Sequence, residues 1–438
     1  MDGRALRTTA PRSSHARWEP RSDRDPVGLL RGIFATLIPE LVPVRIQRMS
    51  ASPFAFYRGS AALMASDLAT TPNTGITAQL SGDAHVANFG GYASPERRLV
   101  FDVNDFDETA QGPWEWDVKR LAASLVLAGR ERKFAPKAID AAARTALATY
   151  RDRTAEYATK SALDVWYAAI DVSLAVGTAM DARARRDWLR EEREARHETA
   201  LAAVPKLTEI AGTQRRFVEH PPVLEHVDDP TVTVAGAQKL LDAYRGTLRH
   251  DARLLLDRFT LVDVARKVVG VGSVGTWCLL LLLVDRDGAP FLLQAKEARA
   301  SALEPYGGTA PYASPGERIV AGQRMTQAAS DPLLGWAEID GRSLYIRQYR
   351  DMKVAPDLTT LRPDELQDFA MHCGWALARA HARTGDPRAV AAYIGRSDRF
   401  VDAICAFARA YADQAEHDHA AFVAEVPHIA SPGAAHGA

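Results

Sequence analysis

Residues 80–118 read LSGDAHVANFGGYASPERRLVFDVNDFDETAQGPWEWDV. Asp83 and Asn88 lie five apart in a short polar turn between two apolar runs. Leu99-Val100-Phe101 then reads as a strand, and a cluster of carboxylates follows it: Asp102, Asp105, Asp107 and Glu108. Carboxylates this close repel one another unless protons or a cation neutralise them. Oxygen ligands on a strand–loop–strand frame are what magnesium prefers, with phosphate oxygens completing its shell. A polar surface hairpin whose carboxylates face water is the plainer alternative for an isolated Asp–Asn pair.

A second stretch far downstream has a different texture. Residues 267–284 read KVVGVGSVGTWCLLLLLV, the turn Asp285-Arg286-Asp287-Gly288 follows, and residues 290–298 read PFLLQAKEA. Gly270, Gly272 and Gly275 have G-x-G-x-x-G spacing. A dinucleotide-binding fold would set such glycines between a strand and a helix. Here they run straight into the β-forming residues 276–284, so a glycine loop between two antiparallel strands is expected. The second strand carries Lys296 among apolar residues, in a chain with only nine lysines among 54 basic residues. Glu297 must point to the opposite face. Glu304 is likewise a less suitable partner for Lys296, and Glu317 opens a helix after Pro315-Gly316. Two more strand-like runs flank Asp340-Gly341, the second leading to Gln348 and Tyr349.

Together the two stretches resemble kinase-like phosphotransferases, particularly the aminoglycoside and choline kinase branch. Gly82-Asp83 to Asn88 match its catalytic loop and Asp105-Phe106-Asp107 its metal loop. Pro113 and Asp117 match the trailing pair with one residue of slippage. Ser81 departs from the His or Tyr usual at that position, which mainly scaffolds the loop. The resemblance implies an α+β, two-lobed protein-kinase-like fold, with a helix-rich large lobe and a small antiparallel-sheet lobe. It implies ATP and Mg2+ as cofactors, and phosphate transfer to a hydroxyl of a small molecule. Asp83 would be the base. Asn88 and Asp105 would hold magnesium, with Asp107 adding a second metal contact. Gly270, Gly272, Ser273 and Gly275 would cover the phosphates, and Lys296, paired with Glu317, would contact them. Backbone groups near Gln348 and Tyr349 would meet the adenine. The usual chain order is inverted here, so the motif order is circularly permuted. SPFAFYRG, GDAHVANFG, FDVNDFDET, GVGSVG and QAKEA further resemble a bacterial family catalogued as domain of unknown function 2252, over about residues 25–425.

Two other readings start from the same residues. Gly82-Asp83-x-His85 resembles the first metal motif of metallophosphoesterases, but the Gly-Asn-His and His-pair motifs that would complete it are missing. A nucleotide-binding pseudokinase without turnover would keep the fold, although such sites usually lose one of Asp83, Asp105 and Lys296. Phosphoryl and nucleotidyl transfer stay open alternatives, as do the acceptor and the oligomeric state.

The 438 residues exceed one ordinary core, so more than one lobe is expected. A net charge of −1 gives no reason to expect nucleic acid or an acidic membrane as a partner. Cys278, Cys373 and Cys405 make no metal spacing and read as buried thiols in a reducing, cytoplasmic setting. The longest apolar run, 278–284, is too short to span a bilayer. Residues 1–25, rich in Arg, Ser, Pro and Asp, read as a disordered tail without the apolar core of a secretion signal. A helix-rich lobe is expected over 26–260, a β-rich nucleotide-binding lobe over 261–353, returning helices over 354–425 and a flexible tail over 426–438. Within the first lobe, helices are expected at 27–41, 54–68, 117–130, 136 to about 210 and 235–259. Alternating charges at 181–199 read as a solvated helix face. Arg58 is either an arginine at the edge of the core or a clamp for a phosphate or carboxylate.

Overall fold

The leucine run 279–283 lies in a strand that is buried on both faces. The structure is a computed structural model and describes residues 2–172, 186, 190, 193, 200–212, 214–270, 272–349, 352 and 354–429. In chain order the first strands are β1 (Thr77–Leu80), β2 (Phe89–Ala93), β3 (Leu99–Val103), β4 (Ala110–Pro113) and β5 (Ile170–Asp171). There follow β6 (Thr208–Ala211), β7 (Gln214–Phe217), β8 (Leu224–Glu225), β9 (Phe259–Lys267) and β10 (Cys278–Asp285). The last are β11 (Pro290–Ala298), β12 (Gly335–Ile339) and β13 (Arg342–Gln348). Six strands form one antiparallel sheet in the order β12-β13-β11-β10-β9-β8. Leu279, Leu281 and Leu283 pack under the helix Val234–Thr247, with Leu240, Leu241 and Tyr244. Leu280 and Leu282 face the other way, against Ala203, Val204 and Phe217. Two covered faces explain why the strand is a continuous leucine run and not an alternating one.

A larger core gathers the helices Glu115–Glu131, Pro136–Tyr157, Pro363–Thr384 and Arg399–Ile429 around β1 to β5. Trp114 anchors it: the ring stacks on Tyr150 with centroids 5.7 Å apart and its Nε1 donates to Thr74 Oγ1 at 3.0 Å. The molecule is thus α+β with antiparallel sheets. All three cysteines are buried free thiols. Among the described residues no helix is long and apolar enough to cross a membrane.

Several local expectations need correction. The segment before residue 26 is not a disordered tail. It forms two short 3-10 turns, Ala5–Arg7 against the helix Pro387–Ile394 and Arg12–Ala16 against the helix Arg399–Ile429, with Trp18 5.0 Å from the Tyr411 ring. Arg24 bridges Asp67 and Asp418 at 2.8 and 2.6 Å. Pro43 begins a helix, Val42–Ser50, and does not end one; proline in a first turn loses no intrahelical bond. The helix expected over 54–68 breaks at Gly59-Ser60 into Pro53–Arg58 and Ala61–Leu68. The helix expected over 235–259 splits into Val234–Thr247 and His250–Leu256, and Phe259 opens β9. Thr208–Ala211 and Gln214–Phe217 pair as antiparallel strands where the end of a helix was expected. Most of 181–199 and all of 430–438 lie outside the described residues.

His15 shows how firmly the N-terminal arm is seated. It is buried, its Nε2 lies 2.7 Å from Tyr393 Oη, and burial, then the charge on Lys119, push its pKa down to about 3. The folded value lies below the unfolded one. Its stabilising contribution is therefore full above about pH 6.5 and lost as pH falls toward 3. At about pH 4.5 the loss is roughly 2–3 kcal/mol. In His15→Gln, the drop in unfolding free energy between neutral pH and about pH 4.5 is expected to shrink by about 2 kcal/mol in urea titrations. An unchanged drop would contradict this seating.

Candidate functional site

Pairing between short strands assembles the acidic half of the site. β1 runs antiparallel to β4, with Leu80 opposite Ala110, which sets Ser81-Gly82-Asp83 beside Glu108 and Thr109. Gly82 has φ +81°, and a Cβ there would fall 2.0 Å from the Glu108 carbonyl oxygen, so only glycine fits. Asp117 fastens this turn by accepting from the Ser81 and Gly82 N–H groups at 2.8 and 3.1 Å. β2 pairs with β3, Phe89 opposite Val103, and the Asn104 N–H donates to the Asn88 carbonyl at 2.8 Å. That ladder end brings Asn88 next to the Asp105 loop. Asn88 Nδ2 donates to the Asp83 carbonyl at 2.9 Å, which leaves Oδ1 as the side-chain atom suited to a cation.

The four carboxylates of the acidic cluster go to four different partners. Asp102 is buried and meets Arg379 Nη2 at 2.6 Å. Asp107 accepts from Lys296 Nζ at 3.0 Å, Tyr345 Oη at 2.7 Å and Ser273 Oγ at 3.4 Å. Glu108 accepts from the Ala302 N–H at 2.6 Å, and burial pushes its carboxyl up to about 7. Asp105 accepts from the Asp107 N–H at 3.3 Å and faces the cleft. Asp83 pairs with Arg120 Nε at 2.6 Å, and His85 Nε2 lies 3.6 Å away. Burial raises the Asp83 pKa against the pull of Arg120. Burial also drives His85 well below its ordinary value, so its ring is neutral.

The glycine loop completes the site from the other side. It connects antiparallel β9 and β10, as its sequence context implied. Arginines of the helix Val42–Ser50 hold its carbonyls. Arg45 donates to Gly272, to Val274 at 3.0 Å and to Gly59 at 3.1 Å, while Arg48 donates to Gly270. The Ile38 N–H donates to the Gly275 carbonyl at 2.8 Å. Burial works against the charge on Lys296, but Asp107 above all holds its pKa well above the ordinary lysine value. For Asp107, burial pushes up and Lys296 pulls down, and the pKa ends below the usual carboxylate range.

Two chambers result. The first, about 500 Å³, is lined by Lys267, Gln294, Lys296, Arg347, Gln348 and Tyr349. The second, about 650 Å³, holds Asp83, His85, Asn88, Asp107, Glu108 and Arg58. Asp105, Gly270 and Ser273 line both. The two halves of the sequence signal, separated by 189 residues at Asp107 and Lys296, therefore share one cleft.

Two expected details fall elsewhere. Glu317 does not meet Lys296. It sits at the start of its own helix, where its N–H donates to Ser314 Oγ at 3.2 Å and its Oε2 accepts from Ala313 at 3.0 Å. From the same helix the buried Arg318 reaches the site, donating to the carbonyls of Asp107 at 2.8 Å, Arg299 at 2.7 Å and Thr109. The N–H groups of Gln348 and Tyr349 are taken by Asp331 Oδ2 at 2.6 Å and the Leu292 carbonyl at 3.0 Å. These residues line the first chamber without offering those donors. Sequence reasoning missed Arg120, Arg45, Tyr345 and Arg347. For the last two, a signal existed. Lys296 lies opposite Tyr345 and Gln294 opposite Arg347, and directly opposed residues share a sheet face.

Fold and site together define an α+β protein in which an antiparallel sheet faces an acidic hairpin across one cleft. The chain belongs to the family described as "Uncharacterized protein conserved in bacteria (DUF2252)", whose model matches residues 37–425. Comparison with curated proteins and with solved structures gave no match.

Arg45 is the structural key to the glycine loop. Arg45→Met would leave three carbonyls without their donor, at about 1–3 kcal/mol each. Amide exchange across residues 272–276 is expected to speed up at least tenfold in this variant, with β11 unchanged. Equal protection of the loop in variant and parent would show that the clamp contributes nothing.

Proposed function

We propose that this protein is an ATP- and magnesium-dependent phosphotransferase of kinase-like organisation that acts on a hydroxyl of a small molecule. The observation that carries the reading is the wall shared by the two chambers, formed by Asp105, Gly270 and Ser273. Nucleotide phosphates belong on the side of Lys296, Arg347 and Lys267, where positive charge converges. The acceptor belongs on the side of Asp83. Transfer between them crosses Asp105.

The residues fit the absent groups. Asn88 Oδ1 and the Asp105 carboxylate are hard oxygen ligands at one ladder end, and magnesium needs only one or two such protein ligands beside phosphate oxygens. Among the described residues no group of three or more His, Cys, Asp or Glu side chains is arranged to hold a metal, which weighs against a two-metal phosphoesterase. His85 supports the same choice, because it is buried edge-on to Phe54, with centroids 6.4 Å apart. When bound, magnesium nucleotide supplies the phosphoryl group and neutralises the charge that develops on it.

The chain's own residues position and move protons. Asp83 accepts the proton of the acceptor hydroxyl; burial raises its pKa above the ordinary carboxylate value, the direction that strengthens a base. Arg120 fixes the carboxylate through one oxygen, which leaves Oδ2 toward the chamber and His85. Lys296 exchanges Asp107 for phosphate oxygens, and Tyr345 and Ser273 keep Asp107 partnered in its place. A kinase-like chain normally runs glycine loop first and metal loop last, so this reading makes the order circularly permuted. The active site depends on geometry and not on chain order.

With ATP, magnesium and a panel of hydroxyl compounds, Asp83→Asn is expected to lower turnover by about 10²–10⁴-fold. Its nucleotide affinity should stay within about threefold of the parent. Lys296→Ala is expected to weaken nucleotide binding at least tenfold. Full turnover in Asp83→Asn, read by phosphate transfer to the acceptor, would remove Asp83 from its role.

A further inference from the structure

The cations that line the second chamber, or hold the residues that do, are almost all engaged. Arg120 is paired with Asp83, Lys296 with Asp107, and Arg45 and Arg318 with backbone carbonyls. Arg299 donates to the Thr36 carbonyl at 3.2 Å and lies 3.8 Å from Glu297. Arg58 differs. It lines the chamber beside Asp83 and Asn88, its Nε is buried without a hydrogen-bond partner, and among the described residues it makes no ion pair, the charges of Asp83, Glu131 and Asp105 acting on it only from a distance. The Phe54 ring supports its guanidinium at 6.0 Å, and its backbone carbonyl lies against Gly272 of the glycine loop.

A second feature points the same way. The helix Ala61–Leu68 begins three residues further on, and its N-cap residue Ser60 makes no side-chain cap bond. The Ser60 hydroxyl instead donates to the Tyr57 carbonyl at 3.2 Å. The N–H groups of Ala61 and Ala62 therefore lack a protein acceptor among the described residues, and both residues line the chamber. Free first-turn N–H groups and a guanidinium whose Nε has no hydrogen-bond partner, lining one chamber, offer donors to an oxyanion. Leu29, Ile33, Leu37, Pro305 and Tyr306, which line the same chamber, are apolar or aromatic.

We infer that Arg58, with the Ala61 and Ala62 N–H groups, binds an oxyanion carried by the acceptor itself. The acceptor is then a small hydroxyl compound bearing a phosphate monoester or a carboxylate and a short apolar portion. This inference rests on the proposed phosphotransferase reading for the word acceptor, but the subsite itself does not require turnover. Arg58 would position the acceptor so that its hydroxyl meets Asp83, with the anion held away from the nucleotide phosphates.

The test is calorimetric titration of inorganic phosphate into the protein saturated with magnesium and a non-hydrolysable ATP analogue, which occupies the first chamber. Phosphate is expected to bind the parent, at least tenfold more weakly to Arg58→Gln, and with substantial recovery in Arg58→Lys. Affinity for the nucleotide analogue should be the same in all three, and equal unfolding midpoints of the free proteins show that the fold is intact. Competition by glycerol 3-phosphate and by 3-hydroxybutyrate, with glycerol as the neutral control, separates a phosphate-bearing from a carboxylate-bearing acceptor. Equal phosphate affinity in parent and Arg58→Gln, or no phosphate binding at all, would overturn the inference. If the nucleotide analogue does not bind, the phosphotransferase reading falls on its own. Phosphate is then titrated into Lys296→Ala with and without Arg58→Gln, where the same tenfold difference reads the subsite alone.

Discussion

Two unlike charges meet in a nearly closed space: the Lys296 ammonium and the Asp107 carboxylate, 3.0 Å apart, with the lysine side chain only 5% exposed. The buried ammonium is costly there without its partner, whereas Asp107, 29% exposed, also accepts from two hydroxyls. The pair therefore fixes how the sheet sits over the acidic hairpin. Tyr345 and Ser273 add their hydroxyls to the same carboxylate, which ties β13 and the glycine loop to that point as well. Everything that makes the cleft one site follows from this junction.

Arginine does most of the supporting work, as suits a chain with so few lysines. Its guanidinium stays charged and offers five donors in a rigid plane, so one side chain can satisfy several carbonyls. Arg45 and Arg318 each hold three backbone carbonyls from different segments. Arg120 presents one edge to Asp83 and another to the Tyr57 carbonyl, at 2.6 and 2.9 Å, with its plane over the Tyr57 ring. Loops that border the cleft are in this way fixed from behind. Arg58 is the exception in this scheme, its Nε buried without a hydrogen-bond partner.

Much of this was legible in the residues. The loop at 82–88, the acidic hairpin, the glycine loop between antiparallel strands and Lys296 on the following strand were all readable. Local patterns carry them: Gly at a tight turn, leucines in a doubly covered strand, a break at Asp287-Gly288. Glu317 was readable too, but in a different role. Ser314-x-x-Glu317 has the spacing of a capping box, which binds the acid to its own helix start. The arginine contacts were not legible, because Arg45 reaches its carbonyls across 227 and 229 residues from a helix of ordinary pattern. Nor was the ordered N-terminal arm, whose polar composition hides the few side chains, His15, Trp18 and Arg24, that seat it. Spacing alone also left open whether the two half-signals shared a cleft. Only the packing of the sheet on the helical body brings them together.

The most direct test of the account is calorimetric titration of ATP with and without magnesium, repeated on Asp105→Asn. The account requires one nucleotide per chain, bound at least tenfold more tightly with magnesium. In Asp105→Asn the nucleotide should still bind while the magnesium enhancement disappears. Absence of ATP binding, or an enhancement that survives the substitution, would contradict the claim that the shared wall of the two chambers is where metal and nucleotide meet.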